Sequence, residues 1–160
     1  MPVTTFQDLA HLRSAVGTRL GASDWMDIDQ ARVDRFAEAT DDHQWIHVDT
    51  HRARSGPYGS TIAHGYLTLS LLPSLVWQVY RTEGLSMEIN YGSDKVRFLS
   101  PVVVPSRVRA VVDLASVDQA GDGYRVKTVV TVEIEGVEKP ACVAETLAFV
   151  VPLQPTSSAK

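Results

Sequence analysis

Between His64 and Tyr80 the chain has almost no polar face: Tyr66, Leu67, Leu69, Leu71, Leu72, Leu75, Val76, Trp77 and Val79 leave no helical side for water. A helix that is apolar all round has to be enclosed. Pro73 lacks the N–H that an interior turn needs, so a kink or break is expected there. After Gly84 the pattern changes. Leu85–Tyr91, Lys95–Leu99, Arg107–Val117, Tyr124–Glu135 and Ala141–Val151 are rich in Val, Thr and aromatics with partial alternation, which reads as strands. Gly121-Asp122-Gly123 is hairpin-turn material. One enclosed helix followed by a run of antiparallel strands predicts an α+β fold, a long curved sheet wrapped around that helix.

Upstream, Phe6, Leu9, Ala10, Leu12 and Val16 recur at helical spacing until Gly17. Ser23–Ile28 reads as a short strand, and Asp29 as the N-cap of a helix with Val33, Phe36 and Ala37 on one face. That helix is expected to end near Thr40–Asp42, with a further helical turn at Thr50–Arg54 and a turn over Ser55–Gly59. Residues 1–154 are expected to form a single domain and the polar stretch 155–160 a loose tail.

A net charge of −4 without a basic stripe argues against nucleic acid as the main partner. Arg52, Arg54, Lys95, Arg97, Arg107 and Arg109 remain available to a local anionic group. Cys142 is the only cysteine, which excludes an intramolecular disulfide or a cysteine metal cluster and suggests a buried, inert thiol. No basic segment followed by an apolar one opens the chain, and the longest apolar stretch is too short and broken to span a bilayer. A cytoplasmic location, off the membrane, is expected.

The chemistry concentrates in Asp42-His43-Gln44-Trp45-Ile46-His47 and Gly59-Ser60-Thr61-Ile62-Ala63-His64-Gly65. An Asp and a His five residues apart do not share a straight helical face. A helix ending at Asp42 and a loop returning His47 beside it would let the pair hold one water and move its protons in both directions. Gly65 would open the next helix with a backbone N–H aimed at an acyl oxygen, close enough because no Cβ intervenes. These residues suit the addition or removal of water at an acyl thioester. Simpler roles exist: Asp42 as a cap, His47 as a structural histidine, Asp41 as a solvated neighbour tuning Asp42. His43, His47 and His51 recur every fourth residue but form no HExxH arrangement, so no metal is expected. His64 suits packing or hydrogen bonding better than proton transfer, and Tyr66, Leu69 and Trp77 suit the core first, with the walls of an acyl pocket as the alternative.

The two motifs, in this order, resemble those of the MaoC-like hot-dog-fold dehydratases, which include the (R)-specific enoyl-CoA hydratases, and the branch similar to nodulation protein N in particular. The family motif is Asp, any residue, Asn, Pro, an aliphatic residue, His. Here Gln44-Trp45 stands for Asn-Pro, Asp41 for a frequent Gly, and Pro105-Ser106 for a Gly and a polar residue. Val96-Arg97-Phe98-Leu99-Ser100-Pro101-Val102 resembles the family's strand motif. The resemblance implies a hot-dog fold and reversible hydration of 2-trans-enoyl-CoA to (R)-3-hydroxyacyl-CoA. It implies Asp42 and His47 as catalytic residues, with Gly65, Gln44, Tyr58, Gly59, Ile62 and Arg97 around the substrate. It implies no cofactor beyond the substrate's own CoA, an acyl-CoA or acyl carrier protein substrate, and a homodimer. A hot-dog thioesterase and a non-catalytic acyl-binding subunit are the alternatives.

Overall fold

The computed structural model describes residues 2–154; the expected loose tail, 155–160, lies outside them. In chain order the elements are β1 (Thr4–Phe6), α1 (Leu9–Ser14), β2 (Arg19–Ala22), β3 (Met26–Ile28), α2 (Gln30–Thr40), α3 (Trp45–Val48) and α4 (Thr50–Ala53). They continue with α5 (Gly65–Ser70), α6 (Leu72–Val76), β4 (Tyr80–Thr82), β5 (Leu85–Phe98), β6 (Ser106–Ala120), β7 (Gly123–Ile134) and β8 (Val137–Pro152). The main sheet is antiparallel in the order β2-β6-β7-β8-β5, and β3 extends the pairing of β6. β1 and β4 form a separate parallel pair.

The inner face of the sheet is set by alternation. Val108, Ala110, Val112 and Leu114 on β6, and Val126, Val130 and Val132 on β7, are buried on one side. They pack with Leu67, Leu72, Leu75 and Val79 from the helical segment. This is the α+β hot-dog arrangement expected from the sequence. Cys142, on β8, is fully buried without a partner, and burial pushes its thiol up to about 11. Thiol reagents are therefore expected to label it only as the protein unfolds; labelling of the native protein at the rate of a free thiol would contradict the packing.

The break expected at Pro73 is present: the central helix is two short helices, α5 and α6, divided at Leu71–Leu72 just ahead of Pro73, which occupies the first turn of α6 where its missing N–H costs nothing. Other expectations need correction. The helical segment is not fully enclosed: Tyr66 is 70% and Trp77 66% exposed, because the chain's own sheet covers only one side. The expected first helix is shorter; Phe6 lies on β1, and Asp8 caps α1 by accepting from the His11 N–H at 2.8 Å. In Ser23–Ile28 only Met26–Ile28 is strand. The Ser23 hydroxyl accepts from the Ala110 N–H at 2.9 Å, replacing a ladder bond.

The two expected strands Leu85–Tyr91 and Lys95–Leu99 are one strand, β5. Its register with β8 shifts between Asn90 and Gly92 and again between Ser93 and Lys95. Gly92, at φ +156, sits in this bulged stretch, so apparent turn residues mark an irregularity inside a strand. β5 is also an edge, and Met87, Ile89, Tyr91 and Phe98 along it are all exposed.

Candidate active site

Asp29 caps α2, accepting from the Arg32 N–H at 2.8 Å. The helix stops at Asp41, whose φ of 58° is left-handed. Glycine is the usual residue there, and Asp is among the few others that adopt it readily. The reversal carries Asp42 off the helix axis. Its carboxylate accepts from the Gln44 backbone N–H at 3.4 Å, an Asx-type turn that leads into α3.

α3 turns His47 inward, where it is buried. Gln30 braces this turn: its amide N–H donates to the His47 carbonyl at 2.8 Å, and its amide oxygen accepts from the Thr61 hydroxyl at 2.5 Å. The Nδ1 of His47 lies 2.7 Å from the Ile62 carbonyl. A carbonyl only accepts, so Nδ1 carries the hydrogen and Nε2 the lone pair. Burial holds the His47 pKa below its ordinary value. The Ile62 bond pulls it up, His64 pushes it down and Asp42 pulls it up, all with smaller effect. The result is a neutral imidazole at pH 7 with a free basic nitrogen.

Potential ligand atoms of Asp42, His47 and His64 all lie within 4.8 Å of one another. The spacing read from the sequence thus brings Asp42 and His47 together. The same three residues are the cluster that would suit a metal, in place of His43, His47 and His51. The two imidazoles, however, stack at 3.8 Å between centroids and 23° between planes. Their lone pairs lie in nearly parallel planes and do not converge on one ion, as a zinc-type site requires.

His47, Tyr58, Ile62, Gly65, Thr68 and Phe98 line a cleft of ≈ 300 Å³. Gly65 is the first residue of α5, so its N–H has no carbonyl one turn back within the helix. α5 has only 6 residues, which leaves the fixed N–H direction as the main contribution and the helix dipole as a minor one. A Cβ on Gly65 would lie 3.2 Å from the Phe98 ring.

The remaining candidates divide. Tyr58 and Ile62 line the cleft, and Ile62 also orients His47. Gly59, at φ +70, shapes the loop between them without lining the cleft. Gln44 is exposed and meets Asp42 through its backbone N–H. Arg97 also lies outside the cleft, its guanidinium donating to the Val96 carbonyl at 2.8 Å. Thr68 and Phe98 on the cleft wall, and Gln30 and Thr61 behind it, were not singled out from the sequence. Gln30 and Thr61 carry no local signal, because their roles depend on contacts 17 and 31 residues apart in the chain.

A larger cavity of ≈ 440 Å³ lies farther along the same helices, against β5, β7 and β8, lined by Leu69, Leu72, Trp77, Glu88, Thr128 and Leu147 among others. It lacks His47 and Gly65, which both line the smaller cleft, so the chemistry belongs there; Asp42 lines neither space and is tied to the cleft by its closeness to His47. Leu69 packs against the core and, with the exposed Trp77, forms walls of this cavity, the alternative read from the sequence, whereas Tyr66 packs edge-on against Phe98 with centroids 6.0 Å apart.

With this geometry in hand, the comparisons with known proteins are decisive on family. The family model for the MaoC like domain matches residues 11–137. The chain belongs to the MaoC-like dehydratase family. It is 54% identical over 144 residues to 3-hydroxyacyl-thioester dehydratase Z of Mycobacterium tuberculosis (strain ATCC 25618 / H37Rv), covering 89% of this chain and 95% of the relative. It is 44% identical over 145 residues to nodulation protein N of Rhizobium leguminosarum bv. viciae, covering 89% and 90%. Two solved structures share the fold. One is a monoamine oxidase regulatory protein from Archaeoglobus fulgius, with a TM-score of 0.75 and 19% identity over 97% of this chain and 100% of that one. The other is an unliganded R-hydratase from Pseudomonas aeruginosa, with a TM-score of 0.64 and 20% identity over 91% of each chain.

Within the MaoC-like family the departures now have physical settings. Asp41 occupies a left-handed position, a conformation that glycine adopts most readily, in keeping with the Gly of the motif it resembles. Trp45 fills the space beside Gly56, and the Arg52 guanidinium stacks 4.2 Å from its ring. These contacts pin the loop between α3 and Tyr58 without the family's Asn-Pro pair.

Proposed function

We propose that this MaoC-like protein reversibly hydrates 2-trans-enoyl-CoA to (R)-3-hydroxyacyl-CoA. The observation that carries this reading is the free Nε2 of a buried neutral His47, beside the Asp42 carboxylate and in the same cleft as the Gly65 N–H. One water is held between Asp42 and His47. His47 takes a proton from it as the oxygen bonds to the β-carbon, and the thioester becomes an enolate. The same proton then passes from the imidazolium to the α-carbon, so one water is added and the enzyme is unchanged. Asp42 steadies the imidazolium, and the Gly65 N–H meets the enolate oxygen where charge gathers. Dehydration is the reverse path.

In this reading the thioester occupies the smaller cleft and the acyl chain extends towards the larger cavity. The enzyme works in the cytoplasm and needs no cofactor beyond the substrate's CoA or, in its place, an acyl carrier protein. The activity named for the 54% identical relative supports the reaction type. The test is turnover of a chain-length series of 2-trans-enoyl-CoA with chiral analysis of the product. Loss of the enoyl absorbance with (R)-3-hydroxyacyl-CoA formed supports the reading. Release of free CoA thiol, as a thioesterase gives, or binding without turnover overturns it.

The proposed homodimer would use the exposed edge strand β5. Met87, Ile89 and Tyr91 on that strand, with Tyr66 and Trp77 on α5–α6, form apolar surface that an unpaired edge does not sustain in water. Sedimentation should give a dimer for the wild type and a shift towards monomer for Ile89→Asp. A wild-type protein that stays monomeric at micromolar concentration would contradict this assembly.

A further inference from the structure

His64 touches both the Asp42 turn and the His47 ring without lining the cleft. It is 2% exposed, at the N-cap position immediately before Gly65, and its side chain makes no capping bond. Its Nε2–H donates to the Asp42 backbone carbonyl at 2.9 Å. Its ring stacks on that of His47 at 3.8 Å, and the Phe36 ring packs on it at 5.0 Å. One side chain therefore joins the turn carrying Asp42, the imidazole of His47 and the start of α5.

The hydrogen bond fixes the role of Nε2. A carbonyl accepts only, so Nε2 carries a hydrogen, and Nδ1 is buried without a partner. An unpaired buried polar atom carries a free-energy cost. Phe or Leu would fill the same space without that cost, so packing alone does not explain a histidine here. What an apolar residue lacks is the N–H that holds Asp42. Its ring also packs flat against the His47 ring and restricts how that imidazole can turn.

We propose that His64 is the positioning residue of this site: it sets the Asp42 turn against the His47 ring and holds its own ring stacked on the imidazole that carries the proton. The inference rests on the hydratase reading above. The ionisable groups facing His47 are Asp42, His64 itself and Tyr58 across the cleft.

Two substitutions separate the two contacts. His64→Phe keeps a ring against His47 and removes the donor to Asp42. His64→Gln keeps an N–H near the Nε2 position and removes the ring. His64→Phe should lower kcat for enoyl-CoA hydration by on the order of 10²-fold with KM within about twofold, as expected for a misplaced catalytic group. His64→Gln should recover part of that loss, and its missing ring should move the acid limb of the kcat/KM profile. The His47 imidazole, followed by NMR titration and assigned with His47→Gln, should shift its midpoint in the same variant.

Thermal midpoints on the same preparations remove the contribution of unfolded protein. If His64→Phe does not fold, His64→Gln alone carries the pH-profile and NMR arms. The proposal is overturned if folded variants keep wild-type kcat, or if activity falls only with the folded fraction while the His47 titration stays fixed. If the wild type turns over no enoyl thioester, the hydratase reading fails separately, and the NMR titration still decides whether His64 governs His47.

Discussion

Asp42→Ala and His47→Ala should each lower kcat for enoyl-CoA hydration by on the order of 10² or more. The two variants differ in what else they disturb. Asp42 is exposed, and its hydrogen bond to the Gln44 N–H is long at 3.4 Å, so the Ala variant should unfold close to the wild type. His47 is buried, stacked on His64 and bonded to the Ile62 carbonyl. Its removal leaves a small cavity and an unpaired acceptor, so a lower thermal midpoint is expected along with the lost activity. Rates per folded molecule isolate the chemical loss. Near-normal kcat in either folded variant would remove the proposed mechanism.

The pH dependence follows from the same nitrogen. Hydration needs His47 unprotonated, and burial holds its pKa below the ordinary histidine value of 6.5. kcat/KM for hydration should therefore be flat around neutral pH and fall only as pH drops through that lowered pKa. An acid limb centred above 6.5 that disappears in His47→Ala would contradict the electrostatic description of the site.

The second large effect is at Gly65. Loss of one oxyanion donor costs about 10²–10³ in kcat, and Gly65→Val should approach that range by pushing the thioester away from the backbone N–H. The added Cβ meets the Phe98 ring first, at 3.2 Å, and Phe98 is half exposed and able to swing aside. Stability should change little for that reason. If crowding of Phe98 were the whole effect, adding Phe98→Ala to Gly65→Val would restore activity. The oxyanion account predicts that the double variant stays slow. A stable Gly65→Val enzyme with full activity would shift the donor role to another N–H of the Tyr58–Ile62 loop.

The parts of the molecule that were legible in the sequence are those written in local pattern. Val, Thr and aromatic alternation gave β6, β7 and β8 to within a few residues, and Asp29 marked the start of α2 through its capping oxygen. The Asp42–His47 spacing was also readable, because a left-handed residue ending α2 and one short helix are enough to bring the two side chains together. What resisted was written in distant contacts. Nothing near Phe6 reveals that it pairs beside Tyr80–Thr82, and nothing near Gln30 reveals that its amide supports His47. The apolar His64–Tyr80 run misled in an instructive way. Apolarity on all sides predicted full enclosure, but one chain's sheet covers only one side, which leaves Tyr66 and Trp77 exposed and, in the proposed dimer, open to a second copy.

Hydration of 2-trans-enoyl-CoA in water enriched in heavy oxygen tests the central claim most directly. Mass analysis of the products locates the label on the atom that the site's water attacks. A hydratase operated by Asp42 and His47 places the heavy oxygen on the β-hydroxyl of (R)-3-hydroxyacyl-CoA, leaves the thioester intact, and loses this labelling in His47→Ala. Label recovered in a free carboxylic acid with release of CoA, or a labelled β-hydroxyl that persists undiminished in His47→Ala, would contradict the account.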